Sequence, residues 1–161
     1  MPSNRSKQEF SRLYEESFSL VYNYLYARTF DNGLAEDVAA EAFTLAWRSF
    51  HKFDSSRAKF STWVITIARN SLASHFRLVR DQTSVDDIPE GVFATNDEDQ
   101  MATKDQVRTL LSVLTEEERE LVYLRYWQEM SPAEIGELVD MNPSTVRTRL
   151  HRAMERMRRI A

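Results

Sequence analysis

The C-terminal end of the chain carries the side chains best suited to bind nucleic acid. Residues 144–161 contain six arginines against Glu155 alone, although the whole chain has a net charge of -4. Short hydroxyl side chains can meet phosphates and base edges, and a guanidinium can bind guanine or phosphate through two hydrogen bonds. The candidate contacts to duplex DNA in this segment are Ser144, Thr145, Arg147, Thr148, Arg149, His151 and Arg152.

These side chains need a helix that is held against a second helix by a short turn. Only residues 140–142 separate two amphipathic segments, a spacing typical of a helix-turn-helix. Gly136 is predicted to lie where the two helices approach closely, so that a larger side chain would push them apart. On the residues alone the alternative is a helical hairpin whose arginines are simply solvated. The apolar positions are Ile135, Leu138 and Val139 on the first helix and Val146 and Leu150 on the second.

A second candidate surface alternates aromatic and basic residues between positions 52 and 69. Unpaired bases stack on aromatic rings while cations follow the backbone, so this composition suits single-stranded nucleic acid. A captured base gains about 1 to 3 kcal/mol, whereas each opened base-pair step costs about 1.4 kcal/mol; such a domain would therefore need a larger partner. The alternative is that the three rings are core residues at helical spacing. The surface comprises Lys52, Phe53, Arg57, Lys59, Phe60, Trp63 and Arg69.

The N-terminal part is predicted to form three helices. Apolar residues recur at intervals of three and four from Phe10 to Tyr26, from Val38 to Phe50 and from Val64 to Phe76, the pattern of an amphipathic α-helix. The sequence Asp31-Asn32-Gly33 is predicted to end the first helix. We expect these helices to make up one compact domain over residues 1–78.

An acidic linker is predicted to follow. Residues 79–103 lose the helical periodicity and hold seven acidic residues against Arg80 alone, with Pro89 and Gly91 among them. This composition is typical of a flexible tether. The fold class is therefore all-α, with two small helical domains joined by a flexible acidic linker, the C-terminal one (residues 104–161) a helix-turn-helix domain.

Helix-start signals divide the C-terminal domain. Thr115 precedes Glu118 by three residues and Ser131 precedes Glu134 by three, which is the pattern of a capping box. Proline follows Ser131 and Asn142, and a proline at the first helical position has no N–H left unbonded. Helices are predicted to begin near Glu116, Pro132 and Pro143, after a helix from Thr103 to Leu114.

Composition excludes several classes of protein. The chain has three glycines, too few for a phosphate-binding or dinucleotide-binding loop, and it has no cysteine for disulfides, thiolate catalysis or zinc. The histidines lie too far apart for a sequence-local metal motif. No apolar run reaches the roughly 18 to 20 residues of a membrane span. We therefore expect a cytoplasmic protein that does not insert into a membrane and needs no metal or cofactor.

Three longer segments resemble a known family. They are AEDVAAEAFTLAWRSF at residues 35–50, FSTWVITIARNSLASHFR at 60–77 and LTEEERELVYLRYWQEMSPAEIGELVDMNPSTVRTRLHRA at 114–153. They resemble the promoter-melting and promoter-binding domains of the extracytoplasmic-function (ECF) group of bacterial RNA polymerase sigma factors. Two such motifs in this order, joined by a short linker, are far more specific than one helix-turn-helix.

The resemblance implies roles that spacing alone does not give. Residues 53–63 match the segment that captures flipped bases of the -10 element, and residues 144–152 match the helix that reads the -35 element. The implied partners are promoter DNA, core RNA polymerase (the clamp of its largest subunit and the flap of its second-largest) and an anti-sigma factor. The residues implied to dock on the clamp are Glu36, Asp37, Glu41 and Phe43.

The sequence also departs from the family pattern in two places. Ala40 stands where the family usually has glutamine, and Pro143-Ser144 replaces the usual glycine-containing turn before Thr145. Neither departure breaks the overall match, which predicts a sigma factor that directs polymerase to promoters and assists DNA opening. The resemblance also implies that the chain is not itself an enzyme, because nucleotide transfer would belong to the core polymerase. The alternative is a stand-alone helix-turn-helix regulator that binds duplex DNA without polymerase.

Overall fold

The computed structural model describes residues 3–82 and 101–160, and most of the predicted linker lies outside them. The described residues form α-helices without any strand, which confirms the all-α class. None of these helices is long and apolar enough to cross a membrane. The helices are α1 (Asn4–Thr29), α2 (Asn32–Arg48), α3 (Phe60–Gln82), α4 (Met101–Ser112), α5 (Glu116–Tyr126), α6 (Pro132–Val139) and α7 (Pro143–Ile160), with a 3₁₀ turn at Phe50–Lys52.

These residues divide into two units. The first contains residues 3–25 and 33–82, and the second contains residues 26–32 and 101–160. The last turn of α1, which the sequence placed in the N-terminal domain, therefore groups with the second unit. Both ends of the predicted linker are helical where they are described, because α3 runs to Gln82 and α4 begins at Met101.

The core of the first unit forms where the apolar positions of its three helices meet. Phe43 of α2 is only 4% exposed, and its ring lies 4.7 Å from that of Tyr14 and 6.5 Å from that of Phe60. Burying a large apolar side chain stabilises a fold by roughly 1.5 to 3 kcal/mol. The fully buried side chains are Val21, Tyr24, Leu25, Ala35, Val38, Ala39, Ala42, Ala46, Val64, Ile65, Ala68 and Leu72.

The chain turns between α1 and α2 earlier than its sequence predicts. We expected Asp31-Asn32-Gly33 to end the first helix, but α1 ends at Thr29 and α2 has already begun at Asn32. Phe30 makes the turn with a φ of 53°, a left-handed conformation uncommon for a bulky residue. Its backbone N–H donates to the Tyr26 carbonyl at 2.8 Å and so caps the helix.

The three predicted helix starts of the second unit are confirmed at Glu116, Pro132 and Pro143. Thr115 Oγ1 accepts the Glu118 N–H at 3.2 Å, and the Thr115 N–H donates to Glu118 Oε1 at 3.1 Å. Ser131 and Glu134 form the same reciprocal pair, and α7 packs on both α5 and α6. The apolar core of this unit comprises Leu111, Leu114, Leu121, Val122, Tyr123, Leu124, Met130, Ile135, Val146, Leu150 and Ala153.

Arg119 of α5 explains why residues 26–32 group with the second unit. Its guanidinium donates to the carbonyls of Ala27 at 2.6 Å, Arg28 at 3.2 Å and Leu114 at 3.1 Å. Two of these carbonyls lie in the last turn of α1, where no helical N–H can reach them. The same guanidinium lies 4.4 Å from the centre of the Phe30 ring. Burial lowers the pKa of Arg119, yet the group stays charged at any physiological pH.

Candidate nucleic-acid interfaces

The turn between α6 and α7 sets the orientation of the predicted DNA-reading helix. Asp140 ends α6 in the left-handed region with a φ of 57°, and the Met141 N–H donates to the Gly136 carbonyl at 2.8 Å. A Cβ atom on Gly136 would lie 2.4 Å from the Met141 carbonyl oxygen. The close approach predicted at Gly136 is therefore real, but it is made to the backbone of the turn rather than to a side chain of the facing helix.

One face of α7 is buried and the opposite face is exposed. Val146, Leu150 and Ala153 are buried against the rest of the unit. Their 3.6-residue periodicity leaves the polar positions pointing outward. The exposed members of the predicted set are Ser144, Arg147, Thr148, His151 and Arg152.

Arg149 differs from the other predicted DNA contacts because it already has a partner in the protein. The half-buried Arg149 pairs with Glu117, in the first turn of α5, and Arg156 Nη1 donates to Glu118 Oε1 at 2.7 Å. Both pairs join α7 to the N-terminal end of α5. Thr145 is also half-buried. Of the three arginines in the predicted set, only Arg147 and Arg152 are exposed, so these two carry the positive charge that the set offers to DNA.

The hydroxyl and imidazole groups of α7 are partly engaged as well. Ser144 Oγ donates to Asn142 Oδ1 at 2.8 Å, and Thr148 Oγ1 donates to the Ser144 carbonyl at 3.0 Å. His151 Nε2 lies 3.1 Å from Glu155 Oε1, one turn further along the helix. In this arrangement both hydroxyl donors are satisfied within the chain, which leaves the arginines as the better donors to DNA.

The aromatic residues of the first unit form one connected cluster. The ring of Phe53 lies 5.2 Å from Trp63 and 5.4 Å from Phe60. Phe53 and Trp63 are half-buried at the surface, whereas Phe60 is only 5% exposed. The interpretation as a core residue therefore applies to Phe60, which supports the other two rings. The interpretation as a stacking surface remains for Phe53 and Trp63, which are partly accessible.

The basic residues of this surface lie mostly on the loop before α3. Lys52, Arg57 and Lys59 are exposed, and Arg69 is half-buried on α3. A short turn shapes the loop, because the Ser56 N–H and hydroxyl donate to Asp54 Oδ1 at 2.9 and 2.6 Å. The hydrogen bond from the Ser56 side chain is the largest cause of a lowered Asp54 pKa.

The residues implied to dock on polymerase do not share one environment. Glu36, Asp37 and Glu41 are exposed on α2, but Phe43 is buried in the core. Glu41 Oε2 lies 3.0 Å from His75 Nε2 on α3. This pair was not predicted, because 34 residues separate its members and His75 belongs to no local motif.

A cavity of about 730 Å³ in the first unit was also missed. Sequence reasoning could not find it, because its walls come from the first turns of α1, the end of α2 and the loop that follows. Within residues 3–82 and 101–160, no group of three or more His, Asp or Glu side chains is placed to hold a metal ion. The lining of the cavity includes Glu9, Trp47, Arg48, Phe50, His51 and Phe53.

Two family models match the chain. The model described as Sigma-70 region 2 matches residues 13–83, and the one described as Sigma-70, region 4 matches residues 104–157. These matches contain the aromatic cluster and the helix-turn-helix respectively.

Individual relatives and one solved structure agree with those matches. The chain is 31% identical over 160 residues to the ECF RNA polymerase sigma factor BldN of Streptomyces coelicolor, an alignment that spans 94% of this chain and 60% of BldN. It is 28% identical over 153 residues to the ECF RNA polymerase sigma factor SigW of Bacillus subtilis, with 86% and 81% of the two chains covered. Its fold is similar to that of the sigma factor RpoE from Bartonella quintana, solved with the anti-sigma factor NepR, with a TM-score of 0.80, 19% identity and 94% and 96% coverage.

Proposed function

Because the chain belongs to the extracytoplasmic-function group of RNA polymerase sigma factors, we propose that it is a dissociable initiation subunit that gives core polymerase its promoter choice. The observation that carries this proposal is that each matched region bears its own candidate DNA surface: outer rings beside exposed cations in region 2, and an exposed arginine face in region 4. Nucleotide transfer would belong to the polymerase, so the chain itself is not an enzyme. It would act in the cytoplasm, where its template is.

In the region 4 part, Arg147 and Arg152 bind the -35 duplex, with Ser144, Thr148 and His151 on the same exposed face. Arg149 acts indirectly, because its pair with Glu117 joins α7 to α5. Guanidinium groups bind guanine or phosphate bidentately, so these contacts give both sequence preference and salt dependence.

In the region 2 part, Phe53 and Trp63 stack on unpaired bases of the -10 element. Phe60 supports them from the core, and the exposed Lys52, Arg57 and Lys59 follow the phosphates. Stacking on a ring gains about 1 to 3 kcal/mol for each base. That gain offsets the cost of only one or two opened steps, so opening requires the polymerase to hold the remaining DNA.

Polymerase docking would use the exposed carboxylates Glu36, Asp37 and Glu41 of α2. Phe43 contributes by holding α2 in the core rather than by touching the polymerase, since it is 4% exposed. RpoE of Bartonella quintana was solved with an anti-sigma factor, and we propose a partner of that class for this chain too. A stand-alone regulator is less favoured, because it gives no role to the region 2 match.

Run-off transcription with purified core polymerase tests the proposal. The full chain should confer initiation on promoter templates that core polymerase alone does not use, whereas a stand-alone regulator would bind duplex DNA and confer none. If core polymerase neither binds the chain nor initiates with it on any template, the proposal fails.

The division of labour between the two surfaces can be tested in the same assay. Trp63→Ala should reduce initiation from duplex promoters. The activity of this variant should largely recover on templates premelted at the -10 element, because the variant still binds the opened strand through its cations. Arg147→Ala should reduce initiation on both templates alike. Equal activity of the Trp63 variant on duplex and premelted templates would contradict the assignment of Trp63 to opening.

A further inference from the structure

Two consecutive carboxylates in the first turn of α5 hold two arginines of α7. Glu117 pairs with Arg149, and Glu118 Oε1 accepts a hydrogen bond from Arg156 Nη1 at 2.7 Å. The two arginines are seven residues apart, close to two turns of helix, and so lie on the same flank of α7. Negative side chains are also favoured at this end of α5, where the helix dipole is positive. The acidic turn therefore forms two ion pairs with the helix that is proposed to read DNA.

The two pairs differ in burial. Glu118 is 6% exposed, and its carboxylate also accepts the Thr115 N–H at 3.1 Å in the capping box. Breaking a buried ion pair leaves an uncompensated charge and strongly destabilises a fold, so this pair fixes α7 against α5. The side chains of Glu117 and Arg149 are 54% and 41% exposed. Ion pairs that are this exposed contribute little to stability, and the fold therefore depends little on the second pair.

Arg149 borders the face of α7 that is proposed to bind duplex DNA. It follows Thr145 by four residues and precedes Arg152 by three, and residues at these spacings are neighbours on a helix surface. A guanidinium binds a phosphate in the same bidentate way as it binds a carboxylate. A phosphate that reaches Arg152 is therefore within range of Arg149 as well, once Arg149 turns away from Glu117.

We propose that Glu117 competes with DNA phosphate for Arg149 and thereby lowers the affinity of the chain for duplex DNA of any sequence. The inference rests on the proposed function, in which this face of α7 binds duplex DNA, and it adds a residue that limits the binding. A phosphate contact strengthens binding without regard to sequence, so a paired Arg149 contributes neither affinity nor selectivity. The consequence is that bulk DNA retains less of the free chain, and more of the chain is available to core polymerase.

The affinity of the full chain for a labelled duplex of mixed sequence, measured by fluorescence anisotropy at several salt concentrations, tests the proposal. Glu117→Gln keeps the shape of the side chain and removes its charge. The variant should bind more tightly than wild type, with a slope of log affinity against log salt that is steeper by about 0.9, as one added phosphate contact requires. The ratio of the two affinities should therefore grow about 3.5-fold as the salt falls from about 200 mM to about 50 mM.

Removing Arg149 separates this competition from a general loss of negative charge. In an Arg149→Ala background, Glu117→Gln should no longer tighten binding, because no arginine is released. Glu137→Gln is the matched control, since it removes the same charge from an exposed position on α6 and should leave the affinity and the slope nearly unchanged. Every variant keeps the buried Glu118 pair, so all should unfold at nearly the wild-type temperature.

Two results would overturn the inference. One is a Glu117→Gln variant that binds duplex DNA no more tightly than wild type, and the other is equal tightening with and without Arg149. Run-off transcription with core polymerase and the wild-type chain judges the proposed function separately. Failure to initiate there overturns the function, whereas normal initiation together with an unchanged Glu117→Gln affinity overturns this inference alone.

Discussion

The two candidate DNA surfaces use opposite physical means. In the first unit, Phe53 and Trp63 are half-buried rings held by Phe60 beneath them. In the second unit, Arg147 and Arg152 extend from an exposed helix face. Rings are positioned by the same apolar packing that stabilises the fold, whereas exposed guanidinium groups are positioned by the helix alone.

The two surfaces therefore differ in whether a DNA-binding side chain can be removed without lowering the stability of its domain. A ring that is half in the core cannot be removed without weakening the domain, so recognition and stability are linked in the first unit. An exposed arginine can be removed with little effect on stability. Duplex binding should therefore depend strongly on salt, because it relies on phosphate contacts, and base stacking should depend on salt much less.

The largest effect is expected at Phe60. Phe60→Ala removes the ring that supports Phe53 and Trp63 and should lower the free energy of unfolding of the first unit by about 3 to 5 kcal/mol. Chemical denaturation monitored by far-UV circular dichroism would measure this loss. Phe60→Leu keeps most of the apolar volume and is the control.

The same pair of variants separates a supporting ring from a stacking ring. If Phe60 only supports its neighbours, Phe60→Leu should initiate nearly as well as wild type on duplex templates. A Leu variant that is stable but fails to open promoters would mean that Phe60 itself stacks on a base.

The next largest effect is expected at Gly136, in the second unit. Gly136→Ala places a Cβ atom 2.4 Å from the Met141 carbonyl oxygen, and the backbone of the turn must shift to accommodate it. Overpacking of this kind typically costs about 1 to 3 kcal/mol. Thermal unfolding should show the loss, together with weaker duplex binding. Glu137→Ala, at the exposed neighbouring position, should change neither property.

A smaller effect should distinguish Arg147 from Arg149, which are two residues apart on α7. If Arg147 binds phosphate, Arg147→Ala should reduce the slope of log affinity against log salt by about 1. Arg149→Ala should leave that slope nearly unchanged, because its partner is Glu117. Fluorescence anisotropy with a labelled -35 duplex at several salt concentrations would measure both slopes. Equal slopes for the two variants would contradict the distinction.

Local signals made the fold largely predictable from the sequence. The capping boxes at Thr115 and Ser131 each require only four consecutive residues, and the starts of α5 and α6 follow from them. The start of α7 follows from Asn142 and Pro143, which are adjacent in the sequence. The end of α1 was not predictable in this way. Phe30 adopts a left-handed turn that local propensity disfavours, and its ring lies beside Arg119, a residue remote in sequence.

The candidate sites were predictable in residue type but not in environment. Periodicity could not decide whether Phe60 or Phe53 lies at the surface, because both belong to the same aromatic cluster. Charge counting treated Arg149 and Arg147 alike, although only the former pairs with Glu117. Such distinctions depend on which elements meet in three dimensions, and short-range sequence patterns do not contain that information.

The smallest effect concerns the loop that presents the cations of the first unit. Hydrogen bonds from Ser56 favour the ionised form of Asp54 and lower its pKa below 3.8. A lowered pKa means that these bonds stabilise the loop above pH 3.8 and are lost as the pH falls through the lowered value. NMR titration of the Asp54 carboxyl carbon should therefore give a midpoint below 3.8, with no transition between pH 6 and 8.

Ser56→Ala tests the cause of that shift. Removing the hydroxyl takes away its largest contribution, so the Asp54 midpoint should rise. Initiation at neutral pH should change little, because the Ser56 N–H still donates to Asp54. An unchanged midpoint would mean that the hydroxyl does not stabilise the carboxylate. Of the two Ser56 donors, the backbone N–H alone would then hold the Asp54 carboxylate and shape the loop that carries the cations.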